Sequence, residues 1–103
     1  MFYHAVLMNL SNANPEFLSR VDSYVARIRA ELPYVRDYHF GPNRASRAAQ
    51  FGWAVVATFD DERGHERYQL SEVHQQMKAF MGPHIADIVV CDVESPAAER
   101  RHG

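Results

Sequence analysis

The stretch Phe2-Tyr3-His4-Ala5-Val6-Leu7-Met8-Asn9-Leu10 decides how this chain folds. Phe2, Val6, Met8 and Leu10 alternate with Tyr3, Ala5 and Leu7, so a strand built from these residues is apolar on both faces. A strand in a half-solvated antiparallel sheet alternates apolar with polar side chains, and this one does not. The turn and cap formers Ser11-Asn12-Ala13-Asn14-Pro15 end it.

Working outward, Asn14 is placed to cap a helix whose first position is Pro15. Phe17, Leu18, Val21, Val25, Ile28 and Leu32 then recur at helical spacing until Pro33 stops the helix. Val35 to Phe40 reads as a short strand closed by a turn at Gly41-Pro42-Asn43, and Arg44 to Gln50 as a polar loop. Phe51 to Phe59 is the strongest strand, with Trp53, Val55, Val56 and Phe59 suited to a pleated surface. Asp60 or Asp61 caps a polar helix running to about Leu70, and Ser71 caps another that places Val73, Met77, Phe80 and Met81 on one face. Gly82-Pro83 ends that helix, and Ile85 to Val93 forms the last strand. The order is β-α-β-β-α-β: an α+β, ferredoxin-like fold with a four-stranded antiparallel sheet and its helices on one face. Residues 1–94 make one domain. Residues 95–103 carry Pro96, Glu99, Arg100 and Arg101 without a large apolar side chain and read as a solvated tail.

Helices on one face leave the other to be explained. Each large apolar side chain left wet there forgoes roughly 1.5 to 3 kcal/mol, so that face is expected to pack on another protein surface. A symmetric homodimer is the simplest solution. Two such sheets meeting face to face form an α/β barrel, with an apolar central cavity for a small apolar or aromatic ligand. The composition, 47% hydrophobic and 23% charged over 103 residues, is that of a folded globular protein. No apolar run approaches the roughly 20 residues of a membrane span, and Met1-Phe2-Tyr3-His4 lacks the basic start of an export signal, so a cytoplasmic protein without a membrane partner is expected. A net charge of −2 with intermixed signs argues against nucleic acid. The single cysteine, Cys91, excludes an internal disulfide and reads as an inert buried thiol within a strand.

Several of these features occur together in one known pattern: the His-containing first strand Phe2 to Leu7, Gly41 after strand two, the run Trp53 to Asp60, Tyr68, and His74 six residues beyond it. Over roughly residues 2 to 94 the chain resembles the stress-responsive dimeric α/β-barrel (Dabb) family. That resemblance implies the ferredoxin-like dimer. Within the family the chain is similar to olivetolic acid cyclase-type members, which implies polyketide cyclisation by acid–base catalysis. Tyr68 and His74 match the working Tyr and His of that branch, and His4 matches a His on its first strand. Where the family often has His-Pro-x-His, this chain reads Ser71-Glu72-Val73-His74 and keeps only the second His.

The residues support such chemistry on their own terms. His74 falls at about the third helical position after Ser71, where unpaired backbone N–H groups and the helix dipole disfavour a cation and favour a neutral, basic imidazole. Tyr68 can donate to a carbonyl and stabilise a developing enolate. The pair suits a cofactor-independent cyclase, lyase or isomerase of small carbonyl or aromatic compounds. The plainer account is that His74 caps a helix and Tyr68 fills a gap. His4 and His39 project from strands, and His39, Trp53, Phe80, Met77, Val6 and Met8 are expected to line the ligand cavity. Tyr38, Phe40 and Phe51 are assigned mainly to the core, His84 to a turn, and His65 and His102 to the solvated surface. His65, His74 and His84 lack tight metal-ligand spacing, and Asp60-Asp61-Glu62 reads as helix capping, so neither metal nor cofactor is expected. Two alternatives frame this reading: a non-catalytic stress or ligand-binding barrel, and a haem- or metal-dependent monooxygenase-like barrel with His74 or His84 as axial ligand.

Overall fold

The computed structural model describes residues 1–96. Its elements are β1 (Phe2–Leu10), α1 (Pro15–Glu31), β2 (Val35–Pro42), β3 (Trp53–Phe59), α2 (Glu62–Leu70), α3 (Glu72–Met81), a 3₁₀ turn (Gly82–His84) and β4 (Ile85–Glu94). The strands form one antiparallel sheet in the order β2-β3-β1-β4. The expected ferredoxin-like arrangement is therefore present, with the second helical segment divided into α2 and α3. Asn14, Asp61 and Ser71 are the three N-caps, their side chains accepting from the backbone N–H groups of Phe17, Gly64 and His74.

Register fixes which side chains face the helices. Phe2, His4, Val6 and Met8 of β1 lie opposite Phe59, Ala57, Val55 and Trp53 of β3 and opposite Glu94, Asp92, Val90 and Ile88 of β4. This helix-facing row packs on Phe17, Val21, Val25 and Ile28 of α1, Tyr68 of α2, and Val73, Met77 and Met81 of α3 to form the core. Strand β2 runs two residues further than expected, because Gly41 and Pro42 stay paired with Ala54 and Trp53; Pro42 is tolerated on an edge strand, where its missing N–H breaks no inner ladder. A bulge at Arg36 shifts the register between Val35 and Asp37. Val35 thus turns towards the core while Asp37 and His39 face away, which separates residues that strict alternation placed together.

The opposite face of the sheet carries Tyr3, Ala5 and Leu7 of β1, Val56 of β3, and Val89, Cys91 and Val93 of β4. In the single chain Tyr3, Val56, Val89 and Val93 are exposed. Cys91 is exposed there as well, not buried as its strand position suggested, because no element among the described residues covers that face. Edge strand β4 is exposed on the helix side too: Ile88 and Val90 are 45% and 52% accessible. The β1–β4 pairing continues past the strand end, where Ser95 N–H donates to the Met1 carbonyl at 2.9 Å. Residues 97–103 of the expected tail, His102 included, lie outside the described residues.

Candidate active site

A pocket of about 210 Å³ lies within one chain, between the helix-facing side of the sheet and the α2–α3 pair. This differs from the cavity expected between two sheets.

Tyr68 stands in the last turn of α2 and is almost wholly buried. Its hydroxyl meets that of Tyr38, from β2, at 2.7 Å. Burial pushes both phenols up, Tyr38 to about 12 and Tyr68 further, so both keep their protons at any ordinary pH. Ser71, at the junction of the two helices, donates its Oγ–H to the Tyr68 carbonyl at 2.7 Å and accepts from the His74 N–H at 3.3 Å. That double contact ties the end of α2 to the start of α3 and sets the Tyr68 and His74 ring centres 4.4 Å apart.

His74 Nδ1 lies 3.2 Å from the Gln69 carbonyl, an acceptor, so Nδ1 carries the proton and Nε2 keeps its lone pair. Burial holds His74 below the usual imidazole range, outweighing the upward pull of the Gln69 carbonyl; Lys78, one turn further on, lowers it slightly more. His4 is fixed in the same way: Nδ1 meets the Asp92 carboxylate at 2.6 Å, so His4 donates there and presents Nε2 as an acceptor. Val6, Met8, Met77, Met81, Ile88 and Val90 make the remaining wall largely apolar, and Lys78 stands at the exposed mouth.

Of the residues proposed from sequence, the pocket gathers Tyr68, His74, His4, Val6, Met8 and Met77. Three fall elsewhere. His39 is on the opposite face, beside Asp37 at 3.6 Å and Arg29 at 3.3 Å, because the β2 bulge fixes its register. Trp53 stacks on Phe40, ring centres 5.6 Å apart, outside the pocket wall. Phe80 stacks on Phe17 with Arg20 over its ring, in a broad hollow of about 680 Å³ along α1. That hollow is the larger of the two, yet it is more open and holds no acid–base pair like Tyr68 and His74. His84 lies in it as well, its Nδ1 3.0 Å from the Ser11 carbonyl, a turn residue as expected.

Two contributors were not anticipated. Tyr38 was assigned to the core and is the hydrogen-bond partner of Tyr68. His65, expected at the surface, is only 5% accessible: it stacks on Phe2 at 4.7 Å and lies 4.5 Å from the His4 ring. Its Nε2 is buried with no hydrogen-bond partner, and burial lowers its basicity. The helical spacing of Gly64, His65 and Tyr68 was the available signal, since residues three apart share a face.

A ferredoxin-like sheet with a helix-side pocket framed by Tyr and His residues defines a class of small α+β barrel domains. A match to the family described as Stress responsive A/B Barrel Domain covers residues 2–95, and the chain belongs to that family. Among solved structures it is similar to a dimeric ferredoxin-like protein of unknown function from Thermobifida fusca, at 27% identity and TM-score 0.75, covering 89% of this chain and 88% of the other. A second dimeric ferredoxin-like protein, from Jannaschia sp. CCS1, aligns at 20% identity and TM-score 0.80, over 91% and 98% of the two chains. The hydroxynitrile lyase of Passiflora edulis shares the fold at 15% identity and TM-score 0.78, over 93% and 94%. No curated protein matches the sequence. Among the described residues no helix is long and apolar enough to cross a membrane.

Proposed function

We propose that this chain is a cofactor-independent acid–base enzyme, a lyase, isomerase or cyclase acting on a small, largely apolar carbonyl compound. The observation that carries the reading is the convergence of Tyr68, His74 and His4 on one apolar-walled pocket, with each histidine held by a hydrogen bond that leaves Nε2 as the acceptor. In this reading the Tyr68 hydroxyl donates to the substrate carbonyl, and Tyr38 donates to Tyr68, so that two phenols in series stabilise the developing oxyanion. His74 Nε2 removes the proton next to the carbonyl, and its low basicity keeps it neutral near pH 7. His4, oriented by Asp92, returns or relays the proton. Lyase chemistry is in keeping with the hydroxynitrile lyase that shares the fold.

The working form is a homodimer. Exposed Tyr3, Val56, Val89 and Val93 supply a self-complementary apolar face, and two of the similar structures are described as dimeric.

The test is hydrogen–deuterium exchange next to the carbonyl in a panel of small aromatic and aliphatic ketones and β-diketones, followed by NMR. Wild type should accelerate exchange in part of the panel, and Tyr68→Phe or His74→Ala should slow it by roughly 10² to 10⁴-fold. Exchange that both variants sustain at the wild-type rate contradicts the assignment.

A further inference from the structure

Beside the pocket lies a cluster that the acid–base reading leaves partly unused. His4 of β1, His65 of α2 and Asp92 of β4 each offer one ligand atom, and the three atoms lie within 4.8 Å of one another. His4 and His65 are both buried, whereas Asp92 is partly accessible along the β4 edge. His65 Nε2 is buried and has no partner among the described residues. A buried nitrogen left unpaired is costly, and the surrounding rings of Phe2, Phe59 and Tyr68 give it no hydrogen bond. An imidazole kept there against that cost has a use for its lone pair.

We propose that His4, His65 and Asp92 form a binding site for a divalent transition-metal ion. Two imidazoles and one carboxylate are a donor set that favours zinc, cobalt, iron or copper over magnesium or calcium, which prefer oxygen donors. Ligand atoms bonded to one such ion at about 2.0 to 2.2 Å stand roughly 3.4 Å apart, so a cluster already within 4.8 Å needs to close by no more than about an ångström and a half. The 2.6 Å contact of His4 Nδ1 with Asp92 is a hydrogen bond shorter than that separation, so an ion held by these two atoms takes the place of the shared proton and opens the pair slightly, while His65, on the short helix α2, closes in. Three protein ligands leave at least one coordination position for water or for a pocket ligand.

The inference does not depend on the proposed reaction, and its test reads metal binding alone. Full-length protein treated with a chelator is titrated with Co²⁺, followed by visible absorption, and with Zn²⁺, followed by calorimetry and thermal melting. Wild type should bind one ion per chain, develop the absorption of a low-coordinate cobalt site, and melt at higher temperature with Zn²⁺. His65→Phe fills the same space without a donor and should weaken binding by more than roughly tenfold, as should Asp92→Asn. His39→Ala, on the opposite face, should bind like wild type. Absence of binding by wild type overturns the proposal. Equal binding by folded His65→Phe and Asp92→Asn does so too, and Asp92→Asn, being partly exposed, carries the comparison if His65→Phe fails to fold.

Discussion

The hydrogen-bonded pair Tyr38–Tyr68 makes a prediction whose sign is unusual. Both rings are almost fully buried, and their hydroxyls meet at 2.7 Å; the other polar contact of Tyr38 is the Met77 sulfur at 4.0 Å. Tyr38→Phe removes one hydroxyl and strands the other, costing about 1 to 3 kcal/mol, and Tyr68→Phe does the same from the other side. For a domain of this size each kilocalorie per mole lowers the melting temperature by roughly 4 to 8 °C. The double variant strands nothing, because both partners go together. Its destabilisation should therefore fall short of the sum of the singles by roughly 0.5 to 3 kcal/mol. Urea unfolding of the four proteins, with dimer concentration held constant, measures that coupling. Strict additivity would refute the claim that the two phenols satisfy each other. In the exchange assay the singles should differ in kind: Tyr68→Phe removes the group that meets the carbonyl, whereas Tyr38→Phe only weakens it.

Stability should also fall on acidification. His65 and His74 are held below the ordinary imidazole value, so as pH falls below about 6.5 the unfolded chain binds protons that the folded chain refuses. Their contribution is complete above about pH 6.5 and shrinks as pH falls towards the folded values; pH-dependent melts should show this, and His65→Phe should flatten the curve. A melting temperature indifferent to pH across that window would count against the burial of both rings. On the other face of the sheet, Val56→Lys should shift the protein from dimer to monomer in sedimentation, since it sets a charge in the middle of the exposed apolar row. A dimer of unchanged affinity would place the interface elsewhere.

Much of the fold was legible because its signals are local. Asn14-Pro15, Asp61 and Ser71 announce helix starts, and the two-sided apolar character of Phe2 to Leu10 announces a central strand. Ser71 also placed His74 at the third helical position, which is where its backbone is capped. What escaped depends on register. The bulge at Arg36 is a single extra residue without a sequence mark, and it sends His39 to the face opposite Val35. The Tyr38–Tyr68 bond and the His4–His65–Asp92 cluster join residues remote in sequence, brought together by strand order and helix packing. Apolar strand faces point to a cavity between two sheets, because they indicate that something covers them without saying which face keeps a gap, and the pocket within the single chain lies on the helix side.

The binding position of an enolate mimic tests the roles of Tyr68 and His74 most directly. A crystal structure with a small para-substituted phenol should show the ligand oxygen about 2.7 to 3.1 Å from the Tyr68 hydroxyl, its ring against Val6, Met8 and Met77, and His74 Nε2 facing it. Occupancy only in the hollow along α1, or a pocket that stays closed at saturating phenol, would contradict it.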